Sequence, residues 1–385
     1  MTRSRDSEVL VVVCGSNYGA MYALALSTLP GFRLTGVVAR GSPRSVNLAK
    51  TMGVPLYTSP AEEASPVDIA CVAVGGGAAN ELILSFLRRG VHVLAEHPIG
   101  PGAAEAALTA ARQSGACFHV NAHWGDLPPA RTFVEECAEA RRSAAPIFLS
   151  LQTSLRLFYS AIDLVLRVLG PVDTFHRSSV AVLHLPPSAN DPAPGFTWSC
   201  VSGILGGIPC VLQRSLWKSP QDDGGDFLVA HRISVTYADG RSILLGEASG
   251  PVISFSEHVP DTRTVFTSGR PDSLPASVQD IMAEISCRAG SMWHDPLGGP
   301  PVTFASHLGI QRLGANQLAL RRLWDQVTKG IVAPEQTAEH ILATARLSYE
   351  LQSQIQDASS DYDRSLHSRL RRIGMVGRHF FGRAN

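Results

Sequence analysis

The stretch Val91-His-Val-Leu-Ala-Glu-His-Pro-Ile-Gly100 combines an apolar run with two titratable residues at its end. A continuous apolar run of this length is typical of a strand that is buried on both faces, as in a parallel sheet. Ligands of open α/β sheets bind outside the carboxyl ends of the strands, so Glu96 and His97 would lie beside any bound molecule. The alternative is a strand end with an incidental histidine, and the neighbouring sequence decides between the two.

Strand and helix patterns alternate on both sides of this stretch. The apolar strand patterns cover residues 8–14, 32–39, 54–57, 68–74, 91–96 and 116–121. The helix patterns between them cover residues 20–29, 45–52, 78–89 and 103–114. This βαβ rhythm predicts an α/β domain over residues 1–125, with a doubly wound parallel sheet of the Rossmann type.

A glycine-containing turn follows the first strand and reads Cys14-Gly-Ser-Asn-Tyr-Gly-Ala20. Such a turn at the start of a helix presents free backbone N–H groups and the positive helix end to a pyrophosphate. The turn matches the pattern G-x-G-x-x-G imperfectly, but it lies in the expected place between a strand and a helix. Together with a second glycine run after the fourth strand, it predicts dinucleotide binding by Gly15, Ser16, Asn17, Tyr18 and Gly75.

The loop after the second strand indicates which dinucleotide binds. An NAD site places an Asp or Glu about 20 residues after the glycine turn, where it binds the ribose 2′-hydroxyl. Residues 38–45 contain no acid. They offer guanidinium and hydroxyl groups, the chemistry of a 2′-phosphate site, on Arg40, Ser42, Arg44 and Ser45. NADP is therefore the predicted cofactor, and a solvated basic loop before a helix is the alternative.

The second half of the chain has a different pattern. A helix is predicted from Asp126, as its N-cap, to about Arg142. Strand patterns then cover residues 147–153, 172–184, 197–205, 208–218, 227–237 and 242–248. A tight-turn signal at 237–240 separates the last two strands. These patterns predict an α+β domain over residues 126–356 with an open, mostly antiparallel sheet.

Three further segments follow the predicted sheet. Residues 256–303 are rich in Pro, Gly and Ser without periodicity, which suggests a substrate lid. Residues 304–329 and 334–356 are predicted to be helices that pack back on the core. Residues 357–385 form a basic tail, for which a frayed terminus or a helix packed on its own subunit is preferred over a docking helix.

Bulk composition argues against several classes of protein. The 385 residues carry no net charge, which gives no support to binding of nucleic acid or an anionic membrane. The seven cysteines form no Cys-x-x-Cys pair, so a reduced, cytoplasmic protein without disulfides or zinc is expected. No metal site is predicted, because a companion carboxylate at a recognised ligand spacing is lacking for His92, His97, His119 and His123.

Five motifs occur in order along the chain, namely Gly15–Gly19, Ala39–Ser45, Glu96–Pro98, Val120–Trp124 and Ser154–Leu164. In these motifs the chain resembles the Gfo/Idh/MocA oxidoreductases and, among them, the thiazolinyl imine reductases of siderophore assembly lines. The resemblance implies NADPH-dependent reduction of a thiazoline C=N bond. It also implies a substrate presented on the carrier protein of a nonribosomal peptide synthetase, and a homodimer formed by the open sheets.

The departures from the sugar dehydrogenases of that superfamily are chemically coherent. His97 stands where those enzymes have a catalytic lysine. In an alignment on Asp163, Ser160 and Arg156 stand where they have a histidine and an aspartate. Alcohol oxidation needs a base for the hydroxyl proton, whereas imine reduction needs an acid that protonates nitrogen. A histidine with a pKa near 6.5 is such an acid, and general acids contribute roughly 10²–10⁴-fold in rate.

The chain also departs from the imine reductases themselves. Trp124 stands where they typically have a tyrosine that is a candidate proton donor, and Gly100 stands where they tend to have a second histidine. His97 remains as the predicted acid, with His123 and Tyr159 as the substitutes. Two alternatives stay open, namely that water completes the proton transfer or that the reaction is altered.

The resemblance also assigns the surrounding residues. Glu96 and Asn121 are expected beside the cofactor, and the residues expected beside the substrate are Trp124, Arg156, Ser160 and Asp163. Two alternatives to an imine reductase stay open. One is a dehydrogenase of a sugar or cyclitol, and the other is a non-catalytic NADP-binding regulator, motivated by the missing tyrosine and second histidine.

Overall fold

In the computed structural model of the chain, two sheets organise the residues that the structure describes. These residues are 8–59, 66–172, 174–185, 196–217, 230–255, 263–265, 292–293 and 302–355. Most of the predicted lid, 256–303, and the whole of the predicted tail, 357–385, lie outside them. Within the described residues, no helix has an apolar stretch of the length needed to cross a membrane.

The first sheet has six parallel strands in the order β3-β2-β1-β4-β5-β6. In chain order its elements are β1 (Val9–Cys14), α1 (Gly19–Ser27), β2 (Phe32–Val38), α2 (Pro43–Met52), β3 (Leu56–Tyr57), β4 (Ile69–Val72), α3 (Gly77–Arg88), β5 (His92–Glu96), α4 (Pro101–Ser114) and β6 (Phe118–Asn121). All six residues of β1 are buried, because helices cover both faces of the sheet. The predicted Rossmann domain is confirmed.

The second sheet has eight strands in the order β14-β13-β12-β11-β7-β10-β9-β8. Its domain contains α5 (Pro128–Arg141), β7 (Pro146–Ser154), α6 (Phe158–Leu169), β8 (Phe175–Leu185), β9 (Phe196–Leu205), β10 (Ile208–Trp217), β11 (His231–Tyr237), β12 (Ser242–Leu245), β13 (Val252–Phe255), β14 (Arg263–Val265), β15 (Met292–Trp293) and β16 (Val302–Thr303). Strand β10 pairs with β7 in parallel, and the other described pairs of this sheet are antiparallel. The predicted second sheet is confirmed.

The two faces of this second sheet differ. Helices α5 and α6 cover one face and build an apolar core with it. The other face is open and exposes the large apolar side chains of Phe148, Leu183, Ile204 and Phe255. The homodimer expected from the family resemblance would bury this face, and it stays a prediction.

Two C-terminal helices pack back on both domains, as predicted. Helix α7 (Phe304–Lys329) contributes Leu320 and Leu323 to the core around β1. Helix α8 covers residues 338–355, after a 3₁₀ turn at Pro334–Gln336. Its Ile341 joins the core of the first domain, and its Leu347 joins that of the second. These helices therefore carry side chains to the junction of the domains.

The predicted capping role of Asp126 is wrong. Helix α5 begins one residue later, with Leu127 as its N-cap and no side-chain capping bond. Asp126 instead lies in a 3₁₀ turn, where its Oδ1 accepts hydrogen bonds from Arg167 at 2.6 Å and Arg322 at 2.5 Å. Arg167 also donates a 2.8 Å hydrogen bond to Asp163. Contacts with two cations outcompete a local cap, so Asp126 links α6 to α7.

Replacement of Arg167 by methionine is expected to lower the free energy of unfolding by about 3–5 kcal/mol, because Asp126 and Asp163 would stay buried without this cation. The control is Arg142→Met, since Arg142 is 74% exposed and pairs with Glu139 on the surface. It should cost less than about 1 kcal/mol. Urea unfolding followed by tryptophan fluorescence measures both, and equal losses would contradict the expectation.

Candidate active site

The carboxylate of Glu96, at the end of β5, is the centre of a largely buried cluster. Its Oε2 accepts a 2.6 Å hydrogen bond from the Tyr22 hydroxyl of α1. Its Oε1 lies 3.0 Å from His97 Nδ1 and 3.4 Å from His123 Nδ1. Burial by itself raises the pKa of Glu96, but the contacts with the two imidazoles outweigh burial and lower it to about 2. Glu96 is therefore an anion at neutral pH.

The two ring nitrogens of His97 differ in their contacts. Its Nδ1 lies 3.0 Å from Glu96 Oε1 and 3.0 Å from the carbonyl oxygen of Asn121, so this nitrogen carries hydrogen in both charge states. Among the described residues, none hydrogen-bonds Nε2. Burial lowers the pKa of His97, but Glu96 and the Asn121 carbonyl outweigh it, and the pKa is raised. Nε2 is therefore the nitrogen that titrates.

His123 lies in the same cluster but is held neutral. Its side chain is 1% exposed, in the 3₁₀ turn His123–Asp126 that follows β6. Its Nε2 accepts a 3.1 Å hydrogen bond from Arg312 of α7, so the ring hydrogen is on Nδ1, facing Glu96. Burial outweighs the contact with Glu96 and, with Arg312, lowers the pKa of His123 to about 4. His123 is thus a fixed neutral group at neutral pH.

Tyr18 connects the glycine turn to this cluster. Its ring stacks on His123 with the centroids 5.0 Å apart, and the Arg312 guanidinium lies 5.1 Å from the Tyr18 centroid. The Tyr18 hydroxyl accepts a 3.3 Å hydrogen bond from Asn316 of α7. Tyr18, which was predicted from the glycine motif, therefore reaches the same cluster as His123.

Asn121 joins the cluster from the end of β6. Its side-chain amide donates to the Tyr22 hydroxyl at 2.7 Å and to Asn316 Oδ1 at 2.7 Å. The same amide lies 3.5 Å from Glu96 Oε2. The carboxyl ends of the neighbouring strands β5 and β6 thus meet residues of α1 and α7 at one point.

The two aromatic residues expected near the acid form walls of the cluster. The Tyr159 ring stacks on His97 with a centroid distance of 5.9 Å. Burial, together with the Asp163 carboxylate, raises the pKa of Tyr159 well above that of a free phenol. Trp124 is fully buried, and its ring lies 5.2 Å from that of His123. A buried phenol with a raised pKa is a poor proton donor, so these neighbours leave His97 as the acid best suited to neutral pH.

A cavity of about 410 Å³ opens at the carboxyl ends of β4 and β5. Its walls come from the loop after β4, including Gly75, and from residues 96–100. His97 lines it. A ligand at this edge of the sheet, where nucleotides of doubly wound folds bind, would thus contact a predicted cofactor residue and the predicted acid together.

The glycine turn fits a dinucleotide. Gly15 has a φ of 101°, and a Cβ at this position would lie 2.5 Å from the carbonyl oxygen of Ala73. Only glycine therefore lets β1 turn here close to the loop after β4. Ser16 and Asn17 follow in the turn, and α1 begins at Gly19. The turn and the helix start leave backbone N–H groups for a pyrophosphate.

The predicted 2′-phosphate residues lie after β2. Arg40, Ser42 and Arg44 are exposed. Ser42 is the N-cap of α2 and accepts a 3.3 Å hydrogen bond from the backbone N–H of Ser45. Ser45 is buried, and its hydroxyl donates to the Ser42 carbonyl at 2.8 Å. The two guanidinium groups therefore lie at the surface, whereas the hydroxyl of Ser45 bonds to the first turn of the helix.

The four residues predicted to contact substrate do not form one group. Arg156 is exposed on the 3₁₀ turn before α6, and Ser160 and Asp163 are buried on α6. Asp163 accepts hydrogen bonds of 2.8 Å from Arg167 and 2.8 Å from His340. Trp124 is the member of the four that lies against the histidine cluster. Their contacts with substrate stay predictions.

His231 of β11 was missed because it occurs within a strand pattern. Its Nε2 lies 3.0 Å from Ser160 Oγ, and its Nδ1 lies 3.2 Å from Thr153 Oγ1. Burial lowers the pKa of His231 to about 3, so the ring is neutral. A histidine therefore lies beside Ser160, the position at which the sugar dehydrogenases are expected to have a histidine, although strand β11 and not helix α6 supplies it.

Contrary to the prediction, His97 and His123 do have a companion carboxylate in the fold. Glu96, His97 and His123 each offer one metal-ligand atom, and these atoms lie within 4.8 Å of one another. Spacing along the chain could not reveal this group, because β5 and the turn after β6 bring it together. Its charges are already arranged as an ion-paired cluster, with Arg312 on the outer nitrogen of His123.

Sequence comparison identifies both domains. The sequence model of the Gfo/Idh/MocA family, described as an oxidoreductase family with an NAD-binding Rossmann fold, matches residues 9–122. The model described as the C-terminal domain of thiazolinyl imine reductase Irp3-like proteins matches residues 144–254. No curated protein sequence is detectably similar to the chain.

Solved structures share the fold across nearly the whole chain. An oxidoreductase from Agrobacterium radiobacter in complex with NAD⁺, L-tartaric acid and magnesium is 11% identical with a TM-score of 0.64, over 89% of this chain and 95% of that one. Biliverdin reductase from Synechocystis sp. PCC 6803, in complex with biliverdin and NADP⁺, is 12% identical with a TM-score of 0.58, over 89% and 98%. On the evidence of the two sequence models, the chain belongs to the Gfo/Idh/MocA oxidoreductase superfamily, with a second domain of the Irp3-like type.

Proposed function

We propose that the protein is an NADPH-dependent reductase of a thiazoline C=N bond, with His97 as the acid that protonates the ring nitrogen. The observation that carries this proposal is an imidazole whose Nδ1 is fixed by Glu96, whose Nε2 has no hydrogen-bond partner among the described residues, and which belongs to a residue that lines the cavity. The match of residues 144–254 to the thiazolinyl imine reductase description supports a thiazoline as the substrate.

The protonation state of His97 favours reduction over oxidation. The Glu96 carboxylate raises the pKa of His97 and so favours the protonated ring, with a proton on Nε2. A dehydrogenase acting on a sugar or cyclitol needs a base at this point, and an imidazolium is not one. An imine reductase needs a proton donor, and an imidazolium is one. The site therefore supports the imine reductase better than the alternative dehydrogenase.

Each group in the cluster has a separate task in this proposal. The nicotinamide would supply hydride to the imine carbon. His97 delivers the Nε2 proton to nitrogen, and the Glu96 carboxylate stabilises the imidazolium until then. His123 and Tyr159 hold the His97 ring between them and exclude water. Solvent reprotonates His97 after product leaves.

The cofactor and the carrier protein are parts of the same proposal. NADP is favoured over NAD because Arg40 and Arg44 are exposed beside the end of β2, with no acid in residues 38–45. The substrate is proposed to arrive as a thioester on the phosphopantetheine arm of a nonribosomal peptide synthetase carrier protein. The Irp3-like second domain supports that choice.

Replacement of His97 by glutamine is expected to lower kcat by roughly 10²–10⁴-fold, the usual contribution of a general acid. The Kd for NADPH should stay unchanged, because the cofactor phosphates bind elsewhere. NADPH oxidation with a pantetheine thioester of a thiazoline measures turnover. His176→Gln, an exposed histidine on β8, is the matched control and should leave turnover unchanged. Equal turnover in the two variants would exclude the acid role.

Glu96→Gln should move the pH profile of kcat/KM. In the native protein Glu96 raises the pKa of His97, so activity is full at lower pH and declines as the pH rises through that pKa. Without the carboxylate, burial prevails and lowers the pKa, so the decline should begin at lower pH. Imidazole ¹⁵N NMR follows His97 directly. Glu105→Gln, on the surface, should leave the profile in place, and an unmoved decline in Glu96→Gln would refute the assignment.

The double variant Arg40→Ala/Arg44→Ala is expected to weaken NADPH binding by about 10- to 100-fold, the effect of losing charged hydrogen bonds to a phosphate. NADH lacks the 2′-phosphate, so its Kd should not change. Titration calorimetry gives both constants. The control is Arg112→Ala, an exposed arginine on α4. Equal losses of affinity for NADPH and NADH would contradict a 2′-phosphate site at these two arginines.

A further inference from the structure

A row of polar side chains crosses the helix-facing side of the second sheet. Backbone pairing places four residues side by side on β9, β10, β7 and β11, in the order Ser199, Arg214, Thr153 and His231. All four are buried. The next row toward the middle of the strands is apolar and consists of Val201, Leu212, Leu151 and Ile233. On this face of the sheet, the apolar core therefore ends at the polar row.

Arg214 is the charged member of this row. It is 8% exposed, and its Nη1 is buried without a hydrogen bond. In the described part of the chain, its guanidinium lies 6.0 Å from the centroid of the Phe158 ring, and no carboxylate lies within ion-pair distance. Burial lowers the pKa of Arg214 to about 10, which leaves it a cation at neutral pH.

A second largely buried arginine, Arg167, has carboxylate partners. The side chain of Arg167 is 7% exposed, and it contacts Asp126 at 2.6 Å and Asp163 at 2.8 Å. A buried cation without such partners costs several kcal/mol, so it is usually compensated by an anion. For Arg214 the described residues do not supply that anion. A ligand that carries one would complete the site.

The position of Arg214 connects it with the acid. Phe158 and Tyr159 are consecutive residues in the first turn of α6. The first lies against the Arg214 guanidinium, and the second stacks on His97. In the same polar row, His231 contacts Ser160, the next residue of that turn. The first turn of α6 therefore spans the distance from the polar row to His97.

We propose that Arg214 binds an oxyanion of the substrate and so positions the imine with its nitrogen toward His97. A carboxylate or phosphate offers a negative charge and two acceptor oxygens, which match the donor fork of a guanidinium. The oxyanion has two sources, a carboxylate on the imine ring or the phosphate of the pantetheine tether. The identity of the imine rests on the proposed function, whereas the oxyanion rests on the burial of Arg214 and on the lack of a carboxylate partner for it among the described residues.

Two matched pairs of compounds test the subsite. The first pair is a thiazoline carboxylate and its methyl ester, and the second is the phosphopantetheine thioester and the pantetheine thioester of the same thiazoline. Within each pair only the oxyanion differs. Arg214→Met is expected to raise the KM of one anionic member by about 10- to 100-fold and to leave its neutral partner unchanged. Arg214→Lys should restore part of the affinity, because it keeps the charge.

The control variant is Arg232→Met. Arg232 is the neighbour of His231 on β11 and points to the open face, where it donates to the Gly246 carbonyl at 3.1 Å. Arg232→Met should leave the KM values of all four compounds unchanged. If Arg214→Met changes the KM of the anionic and neutral members equally, or changes neither KM, the anion subsite is refuted. The pair that responds identifies the source of the oxyanion.

Binding measurements separate this inference from the proposed function. If the native protein oxidises NADPH with none of the four compounds, the thiazoline reductase proposal fails. Calorimetry on the NADP⁺ complex then still tests Arg214, since an anionic compound should bind the native protein and not Arg214→Met. Equal binding to both, or binding of none, overturns the subsite. Thermal unfolding checks that Arg214→Met is folded, and the anion should raise the Tm of the native protein alone.

Discussion

The structure of the site depends on one buried carboxylate, that of Glu96. Burial penalises its charge, and the charge persists because Tyr22, His97 and His123 surround it with donors. Those donors come from α1, from the end of β5 and from the turn after β6. The requirement to satisfy one anion therefore joins three elements of the nucleotide-binding half of the molecule, and α7 completes the arrangement through the contact of Arg312 with His123.

The fold was predictable because its signals are local and repeated. Strands such as Val9–Cys14 are apolar throughout, and glycines end helices at Gly53 and Gly115, so the βαβ order is contained in short windows of sequence. Asp126 shows where local rules fail. Its residue type and position suit an N-cap, but its partner Arg322 is 196 residues away, and no window of sequence contains both.

The site was predictable as far as it lies in contiguous motifs. Glu96 and His97 come from one strand end, and Asn121 and His123 come from the next. Tyr22, Asn316 and Arg312 were not foreseen, because their roles require two helices to meet. A weak signal existed, since Tyr18 and Tyr22 are four residues apart, as are Arg312 and Asn316. Residues at this spacing share one face of a helix, and polar pairs there suggest a buried polar contact.

The charges of the site explain why one histidine among three is suited to give up a proton. His97, His123 and His231 are all buried, and burial disfavours the charged form of each ring. The difference lies in the contacts. His97 Nδ1 has both a carboxylate and a carbonyl at 3.0 Å, whereas His123 faces Glu96 at 3.4 Å with a guanidinium behind it, and His231 has two hydroxyls. Environment separates the pKa values of like groups, and that separation assigns the acid.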